Sequence, residues 1–287
     1  AQFELARRGD SPSLAAVATG AAPRLAKVHA LEGLGQIARA AGRSGSPPGR
    51  EIVAAIGSAT RDGDADVRAV AARVAGEIPA PVLTEALLAL LDDPAPHGRR
   101  AAVIALAGHA SADIDDERRG RIVAAVVRRV RECRDGDDPW LRHALVMALA
   151  AAATPKERGA LAADADAGVR LAAVLAMRRT RDPAIAAVLG DGERRIVLEA
   201  ARAIWDVPVP EARAALASAL LDGPREGPDG DAFLRRSIAA NERLGSPDAA
   251  ARLGALVTAP GVPTALRLQA IDVLGSWAAP PPREKEE

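Results

Sequence analysis

The sequence predicts an all-α protein, a right-handed α-α superhelix of about eight helical hairpins, from three observations. The first is composition. Of 287 residues, 49% are apolar but only 2% aromatic, with no Tyr and two Phe. Ala, Leu and Arg favour helix, whereas sheets lean on β-branched and aromatic residues. The second is recurrence: one arginine-centred, alanine-rich pattern returns eight times along the chain. The third is punctuation, because Pro, Gly, Ser and Asp clusters separate the recurrences where helices should start and stop.

Residues 1–9 precede the first full hairpin and read as a partial repeat. The first hairpin pairs a helix at about 12–20 with PRLAKVHALEGLG around Arg24. The second pairs 49–61 with DVRAVAARVAG around Arg68, and the third 81–92 with GRRAAVIALAG around Arg100. The fourth joins 116–134 to WLRHALVMALA around Arg142, and the fifth 155–163 to VRLAAVLAMRR around Arg170. The sixth joins 183–189 to RRIVLEAARAI around Arg195. The last two join 210–221 to FLRRSIAANERLG around Arg235, and 247–258 to ALRLQAIDVLG around Arg267. Successive arginines stand 44, 32, 42, 28, 25, 40 and 32 residues apart. A period near ~35 with variable insertions is the signature of a helical solenoid. SPS (11–13), PAP (79–81) and SPD (246–248) are helix starts, since Pro fits the first turn and Ser or Asp caps it. GRSGSPPG (42–49) and DGPREGPDG (222–230) supply loops.

Within DADAGVRLAAVLAMRRT (164–180), Val169, Ala172, Ala173 and Ala176 fall on one helix face, which Leu171, Val174 and Leu175 widen. Alanine at contacts lets helix axes approach toward the short end of the ~8–10 Å range. Asp164 or Asp166 is positioned to cap this helix. Arg170 follows in the first turn, where the dipole gives a cation nothing, so its compensation is expected from an acid on the adjacent repeat. The eight arginines are thus read as a structural ladder along the stack. An exposed pair is worth only ~0–1 kcal/mol, against ~2–5 kcal/mol for a buried Leu, so apolar packing should hold the stack and the ladder set its register.

Charge and composition narrow the function classes. Lys+Arg and Asp+Glu are 38 each, which argues against a dedicated nucleic-acid binder. The single Cys133 excludes an internal disulfide or a Cys-pair zinc site. No apolar run reaches the ~18–20 residues that span a bilayer, so no membrane partner is expected for this segment. The chain opens on AQFELARRGD without Met or a signal-peptide pattern, as an excised or processed piece would. An uncovered apolar face is accordingly expected around Phe3 and Leu5, because no polar capping helix precedes them. At the other end, prolines stop the last helix and a charged tail covers 280–287.

The Asp, Val-Arg and Ala grammar resembles HEAT repeats, particularly the short bacterial kind related to phycobilin-lyase repeats. The blocks AQFELARRGD, LAKVHALEGLGQIAR, VLEAARAIWDVPVPEA and LRLQAIDVLGSWAAPPPRE, in this order, are similar to the HEAT region of planctomycete-type membrane-bound dehydrogenase proteins. That resemblance implies a helical array connecting a sugar-dehydrogenase-like β-propeller to a c-type cytochrome domain in an exported or periplasmic protein. The chain departs from the pattern at Glu32 and Glu242, where an aromatic is expected, and contains no Cys-x-x-Cys-His.

Candidate chemistry is sparse. No His is followed by Glu, so the His-Glu metal motifs of HEAT-fold deoxyhypusine hydroxylases are absent. His97 and His109 lack zinc-site companions and read as solvent-facing or helix-end residues. His29 and His143 lie inside second helices, where a buried histidine bonding a neighbouring repeat is favoured over a ligand. Cys133 follows the basic run VVRRVREC without a general base nearby. The glycines of 33–35 and 42–50 lack the Gly-Lys-Ser/Thr ending of a phosphate loop. The basic helix at 116–134 buries Ile122, Val123, Val126, Val127 and Val130 and carries a solvated rim, open to an anionic partner. Trp140, Trp205 and Trp277 fall near second-helix ends, where packing is the default reading. The second helices are expected to line the concave face, with Trp140, His143 and Trp205 as its possible groove residues. The reading is a non-catalytic scaffold or protein-interaction domain without a cofactor, the connecting array of a larger redox protein. A HEAT-fold enzyme, such as a bilin lyase or nucleic-acid glycosylase, and a free-standing peptide-binding adaptor are the competing classes.

Overall fold

A computed structural model describes residues 1–78, 80–111, 115–133, 138–224 and 226–277. Among them the chain forms α-helices, two 3-10 segments and no strand. It divides into two compact units, Ala1–Thr154 and Pro155–Glu287. The expected charged tail at 280–287 lies outside the described residues.

The first unit holds α1 (Gln2–Arg8), α2 (Ser11–Thr19), α3 (Arg24–Arg43), α4 (Arg50–Ala59) and α5 (Ala65–Ala75). It continues through α6 (Pro81–Leu90), α7 (Pro96–Ala110), α8 (Asp116–Glu132) and α9 (Pro139–Ala152). Polar caps start these helices as their sequence requires. Asp10 accepts from the Ser13 N–H, Asp64 from Asp66 and Val67, Asp115 from Arg118, and Asp138 from Leu141. Second helices α3, α5, α7 and α9 pack side by side, and each also packs on the first helix of its own hairpin. First helices α2, α4 and α6 form the other layer, and α1 leans on α2 and α3. Leu31, Leu34, Ile56, Leu83, Leu87, Leu106, Ile122, Leu145 and Leu149 are fully buried between the layers.

Small residues bring the second helices together as their alanine content predicts. A Cβ added at Gly76, at the end of α5, would stand 2.8 Å from the Cα and Cβ of Ala105 on α7. No real side chain fits there, so the close approach depends on glycine.

The second unit holds α10 (Pro155–Leu161), α11 (Ala167–Thr180), α12 (Arg194–Asp206), α13 (Arg213–Ser218), α14 (Gly227–Leu244), α15 (Pro247–Thr258) and α16 (Thr264–Gly275). Its second helices α11, α12, α14 and α16 again pack in series. In α11 the predicted face is buried through Val169, Ala172, Ala173 and Ala176, and Asp166, not Asp164, caps the helix. The expected first helix at 183–189 is instead a 3-10 segment, Pro183–Gly190. A second 3-10 turn, Pro210–Ala212, opens α13 and shortens the helix expected over 210–221.

The uncovered face near the N-terminus is present. Phe3 is 75% exposed, α1 buries no residue, and Phe3, Leu5, Leu14 and Val17 line a cavity of about 450 Å³ with His29 at its edge.

Candidate interaction surface

The ladder is built from the fourth residue of the second helices. Lys27, Arg68, Arg99, Arg142, Arg170 and Arg267 occupy it in α3, α5, α7, α9, α11 and α16. Three residues before a second helix stands an aspartate whose carboxylate accepts the N–H two residues on. Asp62 takes Asp64 N at 2.9 Å, Asp93 takes Ala95 N at 2.8 Å, and Asp191 takes Glu193 N at 2.7 Å. The cation of the preceding repeat reaches that same carboxylate. Lys27 Nζ meets Asp62 at 2.7 Å, Arg68 Nε meets Asp93 at 2.6 Å, and Arg170 Nε meets Asp191 at 2.8 Å. The arginine's remaining arm closes its own loop. Arg68 Nη1 donates to the carbonyls of Asp62 and Gly63, Arg99 to those of Asp93 and Pro94, and Arg170 to those of Asp164 and Ala165.

The geometry sets the charge states. The Arg68 guanidinium, with lesser help from Ala95 N–H, holds Asp93 below the usual carboxylate range against the cost of burial. Arg170 does the same for Asp191. At Asp62 burial is the largest single influence and pushes upward, but the bond from Lys27, the Asp64 N–H and the charges of Lys27 and Arg68 together bring the carboxyl below its ordinary range. Gly98 makes room for this arrangement, because a Cβ there would come within 2.7 Å of the Asp93 carboxylate carbon.

The expected ladder arginines divide: Arg24 does pair with an acid of the adjacent repeat and Arg68 and Arg170 hold the register, while Arg100 and Arg235 are corrected. Arg24 is the first residue of α3 and forms a solvent-exposed pair with Asp66 at 2.6 Å, while Lys27 holds the buried position. Arg100 is the fifth residue of α7 and faces a surface groove, leaving the loop carbonyls to Arg99. Arg195 is an exposed second residue of α12, whose fourth residue is the buried Val197. Arg235 is exposed on α14, and its neighbour Arg236 instead bonds Asp206 at 2.8 Å. Arg142 holds the register position in α9. Arg267 also holds it, but donates to the carbonyls of Val257, Ala259 and Val262 rather than to an acid. A cation over carbonyls at the end of α15 is favoured by that helix's dipole.

The histidines and tryptophans separate by exposure. His109 is fully buried near the end of α7, not solvent-facing. Its Nε2–H donates to the Ala75 carbonyl at 2.9 Å and its Nδ1 meets the Thr84 hydroxyl at 2.8 Å. The Ala75 oxygen can only accept, which fixes the tautomer. Burial, with the Arg118 charge nearby, pushes the His109 pKa down. His29 and His143 are exposed rather than buried, and His29 Nδ1 meets the Gln2 side chain at 2.8 Å. Trp140 is 70% exposed on α9, contrary to the packing expectation. Trp205 is half-buried and, like Trp277, packs against the second unit's core, as the packing expectation has it. Cys133 is half-buried at the end of α8. The basic rim of α8 is largely neutralised in place: Arg121 pairs with Glu85 at 2.6 Å, Arg128 with Asp92 at 2.9 Å, and Arg129 with Glu132.

The second residues of α3, α5, α7 and α9 are Leu25, Asp66, His97 and Trp140. Together with Val70, Arg73, Glu77, Arg100, Ile104 and His143, they place mixed apolar and charged groups on the second helices of the first unit. Between α5 and α7 this surface sinks into a groove of about 550 Å³ over Ala69, Ala101, Ala105 and Gly76. Ile104 is 62% exposed above it. The sequence did not single out this groove; its signal is Ile104, four residues after Arg100 on the same helix face, whereas the neighbouring aliphatics Val103 and Leu106 are buried. Among the described residues no three His, Cys, Asp or Glu side chains gather as a metal centre would, and no helix is long and apolar enough to cross a membrane.

Comparison with known proteins places the architecture in a class. The family model for HEAT repeats matches residues 53–150, from α4 to α9. Importin beta superposes with a TM-score of 0.58 at 12% identity, covering 96% of this chain and 42% of that one. A multiply substituted Kap121p gives 0.59 at 14% identity, covering 94% and 34%. The fold is therefore that of a HEAT-like α-solenoid, and residues 53–150 match the repeat family itself. The chain spans less than half the length of these structures, and at such identities the likeness concerns the fold. No curated relative matches the sequence.

Proposed function

We propose that this chain is a non-catalytic scaffold that recognises protein through the second-helix surface of its first unit. One observation carries this reading. The ladder and loop residues are consumed in mutual bonds, whereas Ile104, Trp140 and Leu25 stand exposed on consecutive or nearby second helices. Three of the five large apolar side chains exposed in the described first unit lie on this layer, the others being Phe3 and Val82, and such groups mark interaction surfaces where they cluster. The blocks from AQFELARRGD to LRLQAIDVLGSWAAPPPRE extend the reading: the partners would include propeller and cytochrome domains of one parent redox protein.

Differential co-purification tests the scaffold role. Tagged wild type is compared with Ile104→Glu on the second-helix layer and Val82→Glu on the exposed side of α6. Proteins lost with Ile104→Glu and retained with Val82→Glu support the role. Equal recovery from all three overturns it. The parent reading is tested by the native reading frame, where a flanking propeller and a Cys-x-x-Cys-His segment are expected.

A further inference from the structure

The α5–α7 groove also indicates what kind of partner fits, on the reading that this surface binds protein. Its charges are unequal in availability. Arg73 is paired with both Glu32 and Glu77, so it brings no net cation to the groove. Arg100 lines the same groove and has no ion-pair partner among the described residues. Beside it, His97 stands 3.4 Å from Asp66, a marginal contact. Val70 and Ile104 supply the apolar wall. The result is an aliphatic slot with one uncommitted guanidinium at its edge.

We propose that this groove binds a short peptide segment that presents an aliphatic side chain beside a carboxylate. The aliphatic group covers Val70 and Ile104, removing exposed apolar surface from water. The carboxylate pairs with Arg100, whose planar fork donates to two oxygens at once. At about 550 Å³ the groove is in the size range of ligand sites. It is open-sided and short of convergent polar groups, which suits a chain passing through rather than an enclosed small molecule. A basic segment would meet Arg100 unfavourably, so the site discriminates by repulsion as well as attraction.

Fluorescence anisotropy on the full chain tests this with a short fluorescein-labelled Leu/Glu peptide, its Leu/Lys counterpart and its Ala/Glu counterpart. The Leu/Glu peptide should bind at least ~10-fold tighter than either counterpart. Arg100→Glu should cost roughly 10-fold for Leu/Glu and strengthen Leu/Lys binding, while Arg100→Gln should fall between and keep the helical spectrum. Ile104→Asp should weaken Leu/Glu binding, and Arg235→Glu, an exposed charge reversal on α14, should leave it unchanged. The proposal is overturned if Leu/Glu shows no preference, or if its binding ignores Arg100 and Ile104. It is also overturned if sedimentation shows the groove covered by a second copy, with Ile104→Asp dissociating the dimer. Peptide binding that ignores this groove sinks the proposal but leaves the scaffold role intact, since that role rests on co-purification.

Discussion

Removing the guanidinium of Arg68 should expose how the repeats are locked. In the folded protein the Asp93 side chain is only 2% exposed and accepts Arg68 Nε at 2.6 Å and Nη2 at 3.0 Å. Arg68→Met keeps much of the stem but strips Asp93 of both bonds, leaving it the Ala95 N–H alone. Breaking a buried pair from one side costs ~3–5 kcal/mol, chiefly because a charge stays buried without its partner. Two further bonds, from Arg68 Nη1 to the Asp62 and Gly63 carbonyls, are lost as well. Adding Asp93→Asn removes the stranded charge while keeping an oxygen for Ala95, so the double variant should recover ~1–3 kcal/mol. Arg24→Met, which breaks the exposed pair with Asp66, should cost under ~1 kcal/mol. Native-state hydrogen exchange of the α5 and α7 amides reads these values locally, which suits a repeat array whose global unfolding need not be two-state. Equal costs for Arg68→Met and Arg24→Met, or a strictly additive Arg68–Asp93 cycle, would refute the ladder as a register lock.

Other perturbations follow from the same geometry. Gly76→Ala drives a Cβ into Ala105 and should destabilise by ~1–3 kcal/mol in urea titration, the usual cost of overpacking. Leu87→Ala, deep between the layers, should cost ~2–5 kcal/mol by the same measurement. Burial lowers the folded pKa of His109, so below the ordinary ~6.5 the unfolded chain takes up a proton that the folded one refuses. Stability should therefore fall as pH drops from there toward the folded value, and His109→Gln should flatten that part of the profile. The carboxylates of Asp93 and Asp191 are likewise lowered. Their contribution is fully present above the ordinary ~3.9 and is lost as pH falls further through the folded values, a loss that Asp191→Asn should reduce in acid titration.

How much of this was legible depended on which force decided each feature. Hairpin positions were readable because Pro and Asp act locally: Asp10, Asp138 and Ser246 cap the helices their neighbours predicted. The ladder's existence was readable but its register only in part. The arginine-centred pattern found the pair of Arg24 with Asp66 on the next repeat but placed Arg100 where the geometry, counting from the helix cap, puts Arg99, and it passed over Lys27. An Asp followed six residues later by Arg, as in Asp62–Arg68, Asp93–Arg99 and Asp164–Arg170, marks three of the six register positions, while Lys27, Arg142 and Arg267 lack that Asp. Exposure of Trp140 and burial of His109 were not legible, because both depend on which neighbouring helix covers which face. The 3-10 form of the segment at Pro183 was not legible either, because its Asp182 cap and first-turn Pro are start signals that an α-helix shares.

The most direct test of the central claim, that the second-helix surface of the first unit is where this protein meets its partner, is site-specific photo-crosslinking in the native host. A photoreactive residue is placed at Ile104, on that surface, and separately at Val82, which is similarly exposed on α6. The account predicts a discrete crosslinked protein from Ile104 that is absent from Val82. Crosslinks from both positions alike, or from Val82 alone, would contradict it.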